Sequence, residues 1–93
     1  MLERVSNREV RGERCLVTVD GVHIVRYSED GRSAHVDIEG GTDSQGRINW
    51  AVYASTLTGW DDPPEPMSAD DRHRVLDTIS RSLALLDMAH IIV

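Results

Sequence analysis

The sequence contains no lysine, no phenylalanine and only one cysteine. All ten basic residues are therefore arginine, which we read as a coding bias of the source and not as a functional mark. With aromatic residues at 4%, the core has to be built mostly from Val, Ile, Leu and Ala. The lone Cys15 excludes an internal disulfide, and no Cys/His spacing resembles a zinc site, so neither metal nor cofactor is expected. No stretch approaches a membrane span, and Met1-Leu2-Glu3-Arg4-Val5-Ser6 lacks the apolar run of a signal peptide. Cytoplasmic residence without a membrane partner is the expectation. A basic surplus is also missing. The net charge of −6 argues against nucleic acid and fits either solubility or a basic protein partner.

What is present organises itself around Trp60-Asp61-Asp62-Pro63-Pro64-Glu65-Pro66-Met67-Ser68. Its prolines fix φ and remove backbone donors, so the segment should extend neither a sheet nor a helix. Ser68 offers an oxygen to the orphan amides of a new helix. Asp71 completes a Ser-x-x-Asp capping signature, and Asp70 adds negative charge at the positive end of the dipole.

Before this segment the chain reads as sheet. Residues 1–13 mix charges with scattered Leu2, Val5 and Val10 and predict a loosely ordered arm. Cys15–Val19 and Val22–Tyr27 then flank Asp20-Gly21, a two-residue hairpin signal that pairs Val19 with Val22 and Val17 with Ile24. Cys15, Val17, Val19, Val22 and Ile24 share the inner face in this register, although Val25 and Tyr27 make the other face apolar too. A three-residue loop at Glu29-Asp30-Gly31 sets Ile24 opposite Val36 and Val22 opposite Ile38. Ala34, Val36 and Ile38 then point inward, and His35, Asp37 and Glu39 outward. A polar loop over 40–46 precedes a fourth strand with Ile48, Trp50, Val52 and Ala54 inward and Asn49, Ala51 and Tyr53 outward.

After Ser68, Val75, Leu76, Ile79, Leu83 and Leu86 form one stripe of period near 3.6, with Arg72, Arg74, Asp77, Ser80 and Arg81 opposite. About 18 helical residues at ~1.5 Å each match the length of seven-residue strands at ~3.3 Å. The predicted fold is one α+β domain: a four-stranded antiparallel meander covered on one face by a single C-terminal helix. The tail His90-Ile91-Ile92-Val93 can add a short edge strand or a dimer contact.

Several residue sets could carry function. The outward face brings together His23, His35, Asp37 and Glu39, with His23 opposite Asp37, which suits a small His/Asp enzyme or a solvated cross-strand pair. Cys15 reads as a small buried residue, because no helix N-terminus or cationic pocket lowers its pKa. His73 reads as a neutral surface residue and His90 as solvated. Leu16, Val25, Tyr27, Ala51 and Tyr53 make the outer sheet face unusually apolar, as a partner surface or a homodimer interface would be. Trp60 either plugs the open end of the core or anchors an interface among Asp61, Asp62 and Glu65. The protein-contact set is thus Tyr27, Asp37, Glu39, Tyr53, Trp60, Asp61, Asp62 and Glu65, with no catalytic residue assigned.

The run Val52-Tyr53-x-x-x-Leu57-x-x-Trp60-x-x-Pro63-Pro64-Glu65, followed by Ser68 and a helix bearing Val75 and Ile79, resembles immunity protein family seventy-four of bacterial polymorphic toxin systems. The similarity covers roughly the second half of the chain. It implies a small, non-enzymatic, cytoplasmic α+β protein that binds and neutralises a cognate toxin made by the same cell. The polar loop and the charged N-terminal arm have no counterpart in that pattern, and the resemblance assigns no binding residue.

Overall fold

Short alternating runs rich in Val and Ile, punctuated by Gly and Asp, put most of this chain into strands. The computed structural model describes all of residues 1–93. Its strands are β1 (Glu3–Arg4), β2 (Glu9–Arg11), β3 (Cys15–Asp20), β4 (Ile24–Glu29), β5 (Arg32–Thr42) and β6 (Ile48–Tyr53). A 3₁₀ turn at Ala54–Thr56 leads to β7 (Gly59–Asp61) and β8 (Pro64–Pro66), then to helix α1 (Ala69–Leu85) and β9 (His90–Ile92). The main sheet has seven strands in the order β1-β2-β3-β4-β5-β6-β9 and curls into a half-barrel, which overturns the four-stranded meander. Every pairing in it is antiparallel except β6 with β9. A parallel neighbour needs a long crossover, and α1 supplies it.

The arm over 1–13 is not loose. Val10 pairs with Val17 and is fully buried, so one apolar residue on a short strand ties the whole arm into the core. Isolated strands this short show no periodicity to read, because the alternation ends after one inward residue.

The two hairpin turns also differ from the spacing argument. Asp20 pairs with Ile24, leaving Gly21-Val22-His23 as a three-residue loop, and Val17 faces Tyr27. The next turn is the shorter one: Glu29 pairs with Arg32 across Asp30 (φ 43°) and Gly31 (φ 79°), the two positive φ values of a type I′ turn. The first change turns β4 over and the second turns the register back. Val25 and Tyr27 therefore point inward and Val22 is 55% exposed, while Ala34, Val36 and Ile38 stay inside. Since β4 is apolar on both faces, alternation alone could not choose. The inward choice buries the larger Tyr27 and brings its ring within 6.4 Å of Trp60.

The predicted loop over 40–46 is half strand, because β5 runs on through Gly40, Gly41 and Thr42. Gly40 faces Trp50 across the ladder, and a Cβ there would stand 3.1 Å from the indole ring. The missing side chain is what lets Trp50 lie over β5. Ile48, at the frayed start of β6, is 68% exposed and not in the core. Ala54 has left the strand for the 3₁₀ turn.

The proline segment forms sheet after all, as a two-stranded hairpin in which Trp60 pairs with Glu65 around the cis Asp62-Pro63 bond. Prolines are tolerated there because β8 is an edge whose other side needs no donors.

Helix α1 opens at Ser68, whose Oγ accepts from the Asp71 amide at 3.0 Å. Val75, Ile79 and Leu83 are fully buried and Leu86 nearly so, in one cluster with Val17, Val25, Val36 and Val52. Two arginines on the polar side of the helix stay partly exposed and still reach back to the sheet side. Arg72 donates to the carbonyls of Leu57 and Ala54 at 3.2 and 2.6 Å, and Arg74 reaches the carboxylate of Glu29. Long side chains reach partners that a helical wheel cannot place.

Candidate functional site

On β5 the residues alternating with the buried Ala34, Val36 and Ile38 form the outer face, away from the helix. This side carries His35, Asp37 and Glu39. Asp37 lies opposite Tyr53 and Glu39 opposite Ala51, and the Tyr53 phenol donates to Glu39 Oε1 at 3.1 Å. That bond and the Glu39 charge push the Tyr53 pKa up. Beyond the end of β6, the chain doubles back so that β7 runs beside the first half of β5, with the Ser33 amide donating to the Asp62 carbonyl. Asp61 thereby meets His35, Oδ2 to Nδ1 at 2.7 Å, and Asp62 is exposed next to it. The outcome gathers four carboxylates, Asp37, Glu39, Asp61 and Asp62, on one side of the sheet, with half-buried Tyr53 and Ala51 beside Asp37 and Glu39. On the same face Arg26 is engaged by Asp20 at 2.7 Å.

Five of the predicted contact residues are thus gathered on one surface: Asp37, Glu39, Tyr53, Asp61 and Asp62. Three are elsewhere. Tyr27 and Trp60 are 2% and 3% exposed, inside the core, so neither can touch a partner in this conformation. Trp60 is the plug, and its Nε1 is buried without a partner. Glu65 turns to the other side, towards Arg32 at 3.7 Å. Of the supposedly apolar outer set, Val25 and Tyr27 have moved inside with the β4 register, leaving Leu16, Ala51 and Tyr53 half-buried outside.

The His/Asp enzyme reading loses its geometry. His23 is in the exposed β3–β4 loop, Ile24 stands opposite Asp37, and His35 is taken by Asp61. No three His, Cys, Asp or Glu side chains come close enough to hold a metal ion. Cys15 is half-buried at the β2–β3 turn. His90 is not solvated: its Nδ1 contacts the Met88 carbonyl at 2.8 Å and its Nε2 the Ser80 hydroxyl at 2.7 Å.

Sequence reasoning missed a buried carboxylate that accepts three side-chain hydrogen bonds. Glu29, 8% exposed, accepts from the Tyr27 hydroxyl at 2.7 Å, from Arg32 at 3.2 Å and from Arg74. Burial pushes the Glu29 carboxyl up, but the bonds from Arg74, Tyr27 and Arg32 together outweigh it and hold its pKa below the ordinary value. Burial, followed by the bond to Glu29, pushes Tyr27 far above a normal phenol. This cluster ties β4, β5 and α1 together, which is a structural role. The only signal in the sequence was a glutamate at the inward parity of β4, legible only once the register was known.

No helix is long and apolar enough to cross a membrane. Comparison with family models, with curated proteins and with solved structures finds no match for this chain.

Proposed function

We propose that this chain is a non-enzymatic protein-binding domain that, like the cytoplasmic immunity proteins it resembles, neutralises a cognate toxin by direct association. The observation that supports the reading is the acidic outer side of the sheet, where β5 and the β7–β8 hairpin present Asp37, Glu39, Asp61 and Asp62 near Tyr53. The occupant that suits such a face is a basic protein surface, because complementary charge steers the encounter and excludes acidic competitors. Tyr53 and Ala51 supply the apolar contact beside Asp37 and Glu39, and an aromatic residue is a frequent anchor of an interface. Blocking is steric: the bound domain covers the toxin and performs no chemistry.

The test is association with the toxin-like product of a neighbouring gene, recovered by pull-down from the source cell. The triple variant Asp37→Asn, Glu39→Gln, Asp61→Asn should associate about tenfold more slowly at low salt. The difference should shrink as salt is added. A pull-down that repeatedly yields no toxin-like protein, or a triple variant binding at the unchanged rate, would sink the reading.

A further inference from the structure

We propose that the free edge of β9 pairs antiparallel with β9 of a second copy, joining two half-barrel sheets across a two-fold axis. This goes beyond the toxin-binding reading and does not depend on it.

The polar groups of β9 divide cleanly between its two sides. Ala89 O accepts from Trp50 N at 2.8 Å, Val93 N donates to Val52 O at 2.8 Å, and Val93 O accepts from Ala54 N at 3.3 Å. Along a parallel ladder with this register, the odd-numbered residues face β6, and His90 and Ile92 turn their N–H and C=O groups outward. No further strand lies on that side, since β9 ends the sheet.

The two edges of the sheet are treated differently. At the far edge, β1 consists of Glu3 and Arg4, and Arg4 is held by Asp87 at 3.3 Å. Charged residues of this kind guard an edge against pairing. Strand β9 has no acidic residue, no arginine and no proline, and Ile91, Ile92 and Val93 are 58%, 49% and 63% exposed. Apart from its shortness nothing on this edge blocks a partner strand, and pairing it with its own copy about a two-fold axis closes on itself, so the product is a dimer and not a filament.

The edge is also complementary to itself. With the two-fold axis at Ile91, His90 of one copy lies opposite Ile92 of the other, and each such pair exchanges both of its outward hydrogen bonds. Ile91 then meets its own counterpart at the closer, non-hydrogen-bonded spacing, which brings apolar side chains together. The strand is held ready for this. The Met88 carbonyl can only accept, so Nδ1 of His90 carries a proton, and the contact of Nε2 with the Ser80 hydroxyl at 2.7 Å clamps β9 to the helix. Beside the clamp a groove lined by Leu76, His73, Ser80 and Ile92 gives an incoming side chain somewhere to pack.

Area decides the strength. Pairing of such short strands buries less than the ~800 Å² per partner of a standard stable interface. The −6 charge of each copy adds repulsion. The dimer is therefore weak, forming at high concentration and more readily in salt.

The experiment is sedimentation equilibrium with amide hydrogen exchange on the full chain, from micromolar to about 1 mM and at two salt concentrations. The mass should rise from 10.4 kDa towards twice that value, and the His90 and Ile92 amides should slow in step with it. Ile91→Lys should weaken association at least about tenfold, as a lysine guarding an edge does. The slow exchange of the Val36 amide in that variant would show that its core is intact. A mass of 10.4 kDa at every concentration overturns the proposal. So does a dimer whose Ile92 amide still exchanges freely, or one indifferent to Ile91→Lys, since its interface lies elsewhere. A monomer whose Ile92 amide slows only when an extended apolar peptide is added would assign the edge to a different protein's strand.

Discussion

The guanidinium of Arg32 stands 4.0 Å from the centre of the Trp60 ring and also donates to Glu29 at 3.2 Å. One side chain thus joins the aromatic plug of the β7–β8 hairpin to the buried carboxylate at the end of β4. Asp71, in the first turn of α1, pairs with Arg74 at 3.0 Å and lies 3.9 Å from Arg32. The start of the helix is therefore latched to the sheet by charge as well as by its apolar stripe.

Glu29→Ala should be among the most disruptive single changes. It leaves the buried Tyr27 hydroxyl without its acceptor and Arg74 with Asp71 alone, for which about 2 kcal/mol is the ordinary cost. Urea unfolding should show the midpoint falling with an unchanged slope. A loss under about 0.5 kcal/mol would place the latch among exposed ion pairs of no consequence.

The same carboxylate makes stability acid-sensitive. Its folded-state pKa lies below the unfolded value, so its contribution is complete above an unfolded Glu pKa of ~4.3. It is lost as the pH falls through the folded value. Thermal midpoints should decline on acidification below that point, and Glu29→Gln should flatten the decline. Equal acid sensitivity in both proteins would assign the effect to other carboxylates.

The two tyrosines should resist ionisation for different reasons. In an ultraviolet absorbance titration, neither should titrate at the ordinary ~10. Glu39→Gln should bring one phenol, Tyr53, back towards that value while leaving Tyr27 protonated until the protein unfolds. If Glu39→Gln changes nothing, the Tyr53–Glu39 bond on the acidic face does not persist in solution.

Val10→Ala tests whether the N-terminal arm belongs to the core. The side chain is fully buried, and removing two methyl groups with a residual cavity costs about 2 kcal/mol. A loosely attached arm would register almost nothing in the same unfolding measurement.

Helix α1 and the inward set of β5 were legible from local pattern. Ser68 with Asp71 and a stripe of period near 3.6 specify where a helix starts and which side it buries, because capping and periodicity act over a few residues. Ala34, Val36 and Ile38 alternate with polar residues, so only one face of β5 could go inside. The outward cluster of Asp37, Glu39 and Tyr53 followed from that parity and from its neighbour β6.

Elsewhere the local pattern was indifferent, and distant partners decided. Strand β4 is apolar on both faces, and the side that won is the one bringing Tyr27 to Trp60 and Glu29 to Arg74, residues more than thirty positions away. Val10 has no neighbour in its own segment to declare it core, and only pairing with β3 buries it. Asp61 joined the acidic face, and Trp60 left it, because the proline hairpin folded back along β5. Backbone periodicity acts within a strand or a turn of helix. Which of two apolar faces is buried depends on contacts that form only when the sheet has curled around the helix.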